Sequence, residues 1–260
     1  MKRRVLRLLE RARVLRPAFA LYERVRAVGR DGDVPAEGLP VPPRQLIVKV
    51  AGTPDVEWFL ESGRRAAESI RAATARNGRP LDEVRALLDF GCGCGRVLRH
   101  WIGMHGCERH GCDTNDEAVE WCRRNLPFAQ FEVNGLAPPL PYDDDRFDLV
   151  YALSVLTHLT EDLQRAWLRE LRRVLAPGGL LLVSTHGDAY RDRLDPAERR
   201  RYDRGELVVR WRRAAGTNLC AAYHPRAALE RLADGLAFVE HVPEGAKGNP
   251  HQDLTVLRKD

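Results

Sequence analysis

The first 30 residues alternate apolar and basic positions with helical spacing. Val5, Leu8, Leu9, Ala12 and Leu15 share one face and Arg and Lys fill the other, which predicts a helix that Pro17 interrupts. Residues 31–44 are rich in Gly and Pro and read as a linker or extended arm. Helical spacing returns over 54–77, with Trp58, Phe59, Ala66, Ile70 and Ala73 as the apolar set and Asn77-Gly78-Arg79-Pro80 as the stop. From Val84 the period changes. Short apolar runs predict strands at 86–90, 109–113, 130–133, 147–153, 179–185, 237–241 and 254–257. Between them, helices are predicted at 97–104, 117–125, 161–175 and 225–232. This alternation implies parallel strand–helix–strand units, hence an α/β class chain with a doubly wound, seven-stranded, mostly parallel sheet. No helix separates the last two strands. The connection carries Gly245, Lys247, Gly248 and Pro250, which predicts a terminal antiparallel hairpin. Segment 188–215 is long, charged and unpatterned, and reads as a lid or substrate loop. The expected division is an N-terminal extension over 1–83 (basic helix, Pro/Gly-rich arm, cap helix) and a main domain over 84–260.

Composition narrows the class. The 260 residues are 44% apolar and 30% charged, ordinary for a globular chain with a sizeable core. No apolar run approaches the ~20 residues of a membrane-spanning helix. Residues 1–30 carry ten basic and two acidic side chains, so the net positive charge belongs to the N-terminal extension and the remainder is slightly acidic. That weighs against a whole-surface nucleic-acid footprint. The extension itself stays open between a peripheral membrane or partner-binding element and a solvated helix with one face on the core. Six cysteines, four of them within 21 positions, accompany no signal-peptide pattern, so reduced thiols and a cytoplasmic location are expected.

The chemistry concentrates in Leu87-Leu88-Asp89-Phe90-Gly91-Cys92-Gly93-Cys94-Gly95-Arg96, which follows a predicted strand and opens a predicted helix. Ligands of doubly wound sheets bind at the carboxyl ends of the strands, where glycines permit close backbone approach. Asp113 ends the next strand, 18 residues after Gly95, where an acid accepts hydrogen bonds from ribose hydroxyls. The glycines read G-x-G-x-G, not the G-x-G-x-x-G of a pyrophosphate site. Asp89, two positions upstream, would repel pyrophosphate but suits an ammonium or sulfonium. S-adenosylmethionine carries both.

These residues, with Gly111-Cys112-Asp113-Thr114-Asn115, the run from Phe147 to Leu159 (FDLVYALSVLTHL) and Leu175-Ala176-Pro177-Gly178-Gly179-Leu180-Leu181, resemble the class I S-adenosylmethionine-dependent methyltransferases over roughly 84–260. The resemblance implies a Rossmann-like methyltransferase fold, S-adenosyl-L-methionine as cofactor and enzymatic methyl transfer. Carried over by position, Asp89, Gly91, Gly93 and Gly95 look like the methionine-end loop, with Arg96 a partner for the methionine carboxylate. Asp113 looks like the ribose acid, with Thr114 and Asn115 beside the adenine. Asn134 stands where the family often has an acid reaching the adenine amino group, and an Asn oxygen can also accept that bond. Ser154 ends the fourth strand at the methionine pocket. Asn218, Tyr223-His224, Gly245, Gln252-Asp253 and Leu257-Arg258-Lys259 resemble the end of a bacterial subgroup linked to polysaccharide and small-molecule modification.

Three histidines are candidate general bases: His158 after the fourth strand, His186 at the end of the fifth and His224 before the last helix. Each can equally be a structural hydrogen-bonding residue. Cys92, Cys94, His100, His105, Cys107, His110 and Cys112 lack the paired knuckle spacing of a zinc site, so no metal is expected. Trp58 and Phe59 fit packing onto the sheet and also a cap over an acceptor pocket. Arg199, Arg200, Arg201 and Arg210-Trp211-Arg212-Arg213 can clamp an anion or form a solvated face. The reading that combines these features is a methyltransferase acting on a small molecule or sugar, on oxygen in preference to nitrogen. The alternatives are an RNA methyltransferase and a non-catalytic S-adenosylmethionine-binding protein. A nicotinamide oxidoreductase is disfavoured by the glycine spacing. A nucleic-acid acceptor is disfavoured because the fourth strand ends in Ser154-Val155-Leu156, without the Pro-Pro-aromatic motif of base amino methylation, and no Pro-Cys nucleophile appears. No motif sets the oligomeric state.

Overall fold

The computed structural model describes Leu6, residues 14–27 and residues 38–260. Two apolar layers sandwich one sheet. Helix α1 (Leu15–Arg26) comes first. Pro17 does not interrupt it but lies in its first turn, where the missing N–H costs no intrahelical bond. The helix expected before Leu15 and the arm over 31–37 lie outside the described residues. An unexpected helix, α2 (Arg44–Ala51), follows Pro42-Pro43 and ends at Gly52, whose φ of 69° closes it. Helix α3 (Val56–Arg76) matches the 54–77 pattern, and its Asp55 side chain accepts from the Trp58 N–H as an N-cap.

The main sheet has the order β3-β2-β1-β4-β5-β9-β8. Its strands are β1 (Ala86–Phe90), β2 (Glu108–Asp113), β3 (Gln130–Val133), β4 (Phe147–Ala152), β5 (Leu175–Thr185), β8 (Ala237–Val242) and β9 (Asp253–Arg258). The first five are parallel, whereas β9 runs antiparallel to both β5 and β8. The expected terminal hairpin is therefore present, with its second strand inserted beside β5. Alternate strand residues feed opposite cores, as the period of two requires. Leu88, Phe90, Val150, Ala152, Leu181 and Val183 meet α5 (Glu161–Val174) and α7 (Arg226–Leu232). Leu87, Leu149, Tyr151, Leu180 and Leu182 meet α3 and α4 (Asp116–Asn125). No helix among the described residues is long and apolar enough to cross a membrane.

Two further expectations change. The helix expected over 97–104 is reduced to one 3₁₀ turn, Leu98–Trp101. Leu98, Arg99 and Trp101 are all fully buried, on more than one face, so tertiary packing overrides the single-faced pattern of a long helix. Segment 188–215 is also ordered. It forms a 3₁₀ turn (Asp188–Arg193), α6 (Pro196–Asp203, with a capping box from Asp195 and Glu198) and β6 (Val208–Arg210), which pairs with β7 (Ala221–Tyr223). Tyr190, Leu194, Tyr202, Val208 and Tyr223 give it a small core of its own. Its charges hid that core from the sequence pattern.

Candidate active site

The carboxyl ends of β1, β2 and β4 open into a cavity of about 490 Å³. The glycine loop forms its floor. Gly93 has a φ of 53°, and a side chain there would bring a Cβ to 2.4 Å from Val50 Cγ2 on α2. Glycine is thus required for both the turn and the close approach of α2. Gly91 also lines the cavity, whereas Gly95 lies outside the lining, packed against Leu126. Cys92 and Cys122 both direct Sγ at the Gly93 carbonyl, at 3.6 Å. Burial raises both thiol pKa values, so these side chains remain neutral packing groups.

Around that floor stand the acids and amides expected from the sequence. Asp113 accepts from the Gly93 N–H through Oδ2 and from the Asn115 N–H through Oδ1, each at 2.8 Å. Asn115 in turn caps α4. Asp113, Thr114 and Asn115 line the cavity, as do Asn134, Ser154 and Arg96. Asn134 spends its Nδ2 on the Gly135 carbonyl at 2.8 Å and leaves Oδ1 buried without a partner. Asp89 is buried with Oδ2 likewise unpartnered, while the Tyr151 hydroxyl, itself held by Trp101 Nε1 at 2.9 Å, bonds the carboxyl. Burial pushes the Asp89 pKa up to about 7, against the opposing pull of Tyr151 and the Arg96 charge. The buried Arg96 guanidinium donates to Asn249 Oδ1 at 3.0 Å and to Ser62 Oγ and the Gly248 carbonyl at 3.3 Å.

Ser154 has a φ of 62°, a strained conformation for a residue with a side chain. A closed ring of hydrogen bonds holds it. The Ser154 N–H donates to Ser184 Oγ at 2.7 Å, Ser184 Oγ donates to Gln252 Oε1 at 2.7 Å, and Gln252 Nε2 donates to Ser154 Oγ at 2.9 Å. Gln252→Leu would take from the buried Ser184 hydroxyl its acceptor and leave the Ser154 hydroxyl with Thr157 alone, at a cost of ~1–3 kcal/mol. The expected outcome is a lower thermal unfolding midpoint, read by calorimetry.

Of the three candidate bases, His158 lines the cavity and His186 and His224 do not. His158 Nδ1 lies 2.8 Å from the Cys220 carbonyl, which can only accept; the proton is therefore on Nδ1 and Nε2 carries the lone pair. Burial lowers the His158 pKa, keeping the ring neutral. His186 stacks on Tyr190 at 4.1 Å and bonds the Ala222 carbonyl, and burial holds its pKa to about 4. His224 Nε2 bonds Gln164 Oε1 at 2.9 Å, and Gln164 Nε2 donates to the Leu156 and Leu159 carbonyls. His224 thus braces the turn that carries His158. Arg210 is spent on Glu198 and Tyr223, Arg201 on Glu206 and Arg199 on Asp192, and none of the three arginines lines the cavity.

Sequence reasoning missed part of the wall. Glu23, Lys49 and Val50 come from α1 and α2. Trp58 on α3, one of the two residues expected as packing or cap, also lines the cavity, whereas Phe59 is fully buried outside it. Asn218 Nδ2 donates to the Lys49 carbonyl at 2.5 Å, and the Gly216 N–H donates to the His158 carbonyl at 2.9 Å, so the connection between β6 and β7 closes on the same space. The bracket Pro43…Gly52 around Leu46-Ile47-Val48 is the sequence signal that could have located α2.

The sheet order and the glycine loop after β1 are those of a Rossmann-like methyltransferase fold. Residues 88–183 match the family described as "Methyltransferase domain". The chain is 35% identical over 102 residues to sterol 24-C-methyltransferase erg6 of Schizosaccharomyces pombe, covering 37% of this chain and 26% of that protein. It is 29% identical over 154 residues to norajmaline N-methyltransferase of Rauvolfia serpentina, covering 56% and 50%. The chain spans half or less of the length of these relatives. Its fold is that of the CcbJ methyltransferase from Streptomyces caelestis, with a TM-score of 0.54, 21% identity and coverage of 76% of this chain and 89% of that one.

Proposed function

We propose that this protein transfers the methyl group of S-adenosylmethionine to a hydroxyl of a small-molecule or sugar acceptor. The observation that carries this reading is a pair of buried, unpartnered acceptors in one cavity, Asp89 Oδ2 at the end of β1 and Asn134 Oδ1 just after β3. β1 and β3 are two strand spacings apart, about 10 Å, so the two atoms suit the ends of an elongated donor-bearing molecule. An ammonium satisfies the first and an adenine amino group the second. Asp113 and the loop N–H groups between them suit a ribose. The residues present thus fit the cofactor.

When bound, S-adenosylmethionine supplies a methyl already activated by its sulfonium. The chain's task is positioning and proton removal. Asp89 and Arg96 hold the amino-acid end, Asp113 the ribose hydroxyls, and Asn134 the adenine, with Thr114 and Asn115 beside it. Trp58, Val155 and Leu136 keep water from the reacting end. His158 Nε2 takes the acceptor's hydroxyl proton, its ring oriented by the Cys220 carbonyl. Residues 1–83 and the segment over 188–215 with the loop behind it form the acceptor side. A hydroxyl acceptor is favoured over an amine because a neutral amine attacks through its lone pair and loses its proton only afterwards, whereas a hydroxyl gains nucleophilicity as a neutral imidazole removes its proton during attack.

Two experiments follow. Incubation with methyl-labelled S-adenosylmethionine and panels of sugars, phenols and amines should label hydroxyl-bearing acceptors. Label on amines alone would overturn the oxygen assignment, and no label on any acceptor would overturn catalysis. Titration across pH tests Asp89. Its carboxyl must be ionised to pair with an ammonium, so cofactor affinity should rise as pH increases through about 7 and level off above it. In Asp89→Asn that rise should disappear.

A further inference from the structure

Helix α1 presents two apolar faces. On the inward one Leu15 is buried, Phe19 is half-buried and Glu23 reaches the cavity wall. On the outward one Val14, Leu21 and Val25 recur at helical spacing with exposures of 43%, 62% and 64%. Tyr22, 48% exposed, stands beside them with the Arg26 guanidinium over its ring at 5.7 Å. A helix whose only task is to pack on its own domain is polar on its solvent side. Exposed Arg24 and Arg26 flank the stripe, and residues 1–30 hold ten basic side chains against two acids, one of them the inward Glu23.

We propose that this face of α1 docks on an anionic lipid surface. The aliphatic stripe enters the acyl boundary, Tyr22 lies at the headgroup level and the arginines reach the phosphates. Charge complementarity selects this occupant. A second copy seated on the stripe would bring two strongly basic segments together. An RNA would use the arginines but has no use for Val14, Leu21 and Val25. Because Glu23 belongs to both α1 and the cavity wall, docking sets the cavity beside the lipid surface. The surface is independent of the methyl-transfer reading, since vesicle binding is measured without turnover.

The test is sedimentation of the full chain with phosphatidylcholine vesicles, with and without phosphatidylglycerol, at physiological salt. The protein should pellet with the anionic vesicles. Leu21→Glu/Val25→Glu should lower that partition by roughly tenfold or more, because two aliphatic side chains no longer enter the lipid. Both side chains are exposed, so circular dichroism and the unfolding midpoint should not change. Four results would overturn the proposal: no preference for anionic vesicles, equal partition of the double variant, RNA binding alone that the double variant retains, or a dimer in light scattering that the double variant splits.

Discussion

Asp113→Ala is expected to bind S-adenosylmethionine at least tenfold more weakly than the parent protein. Asp113 is the acid that lies against the glycine loop, with one oxygen on the Gly93 N–H and the other on the Asn115 N–H. Each carboxylate oxygen has a second lone pair, so the loop bonds and ribose hydroxyl bonds can coexist. A hydrogen bond to a charged group is worth ~1.5–3 kcal/mol, or roughly 10–150-fold in affinity. Alanine also releases the loop, which works in the same direction. Asp113→Asn keeps one acceptor oxygen and should fall between the two. Calorimetric titration reads all three, with circular dichroism confirming the fold. Parent-like affinity in Asp113→Ala would remove the ribose assignment.

The second large effect is expected on the rate. His158→Ala should lower kcat by ~10²–10⁴-fold, the range for a lost general base, with cofactor affinity nearly unchanged. The pH profile separates this from a structural defect. Burial lowers the His158 pKa below its ordinary value of 6.5, so the ring is neutral at and above neutral pH and becomes protonated only as pH falls. In the parent, kcat should therefore decline on the acid side, below 6.5. His158→Ala should lose that limb along with most of its rate. His186→Ala, outside the cavity, should keep both. Full turnover in His158→Ala would end the assignment.

Much of this was legible in the sequence, for identifiable reasons. β1, β4 and β5 are short apolar runs buried on both faces, and such strands announce themselves without any partner. The glycine loop and Asp113 were legible because a tight turn and an acid at a strand end are local requirements. Lys49 and Glu23 were not. They reach the cavity only because α2 folds onto Gly93 and α1 onto α2, contacts between segments far apart in the chain. Gln252 was legible only as part of a C-terminal resemblance; its role in holding Ser154 depends on β9 lying beside β5, an insertion the hairpin pattern does not encode. The histidines divide for the same reason. His158, His186 and His224 all follow or precede strands and helices in similar fashion, and only the third dimension shows that one of them faces the cavity.

The central claim is that the cavity is built for S-adenosylmethionine. Calorimetric titration of the folded protein with S-adenosylmethionine, S-adenosylhomocysteine and NADH tests it most directly. Binding of both adenosyl ligands and none of NADH is the predicted result. Silence with both adenosyl ligands, or saturable binding of NADH, would contradict it.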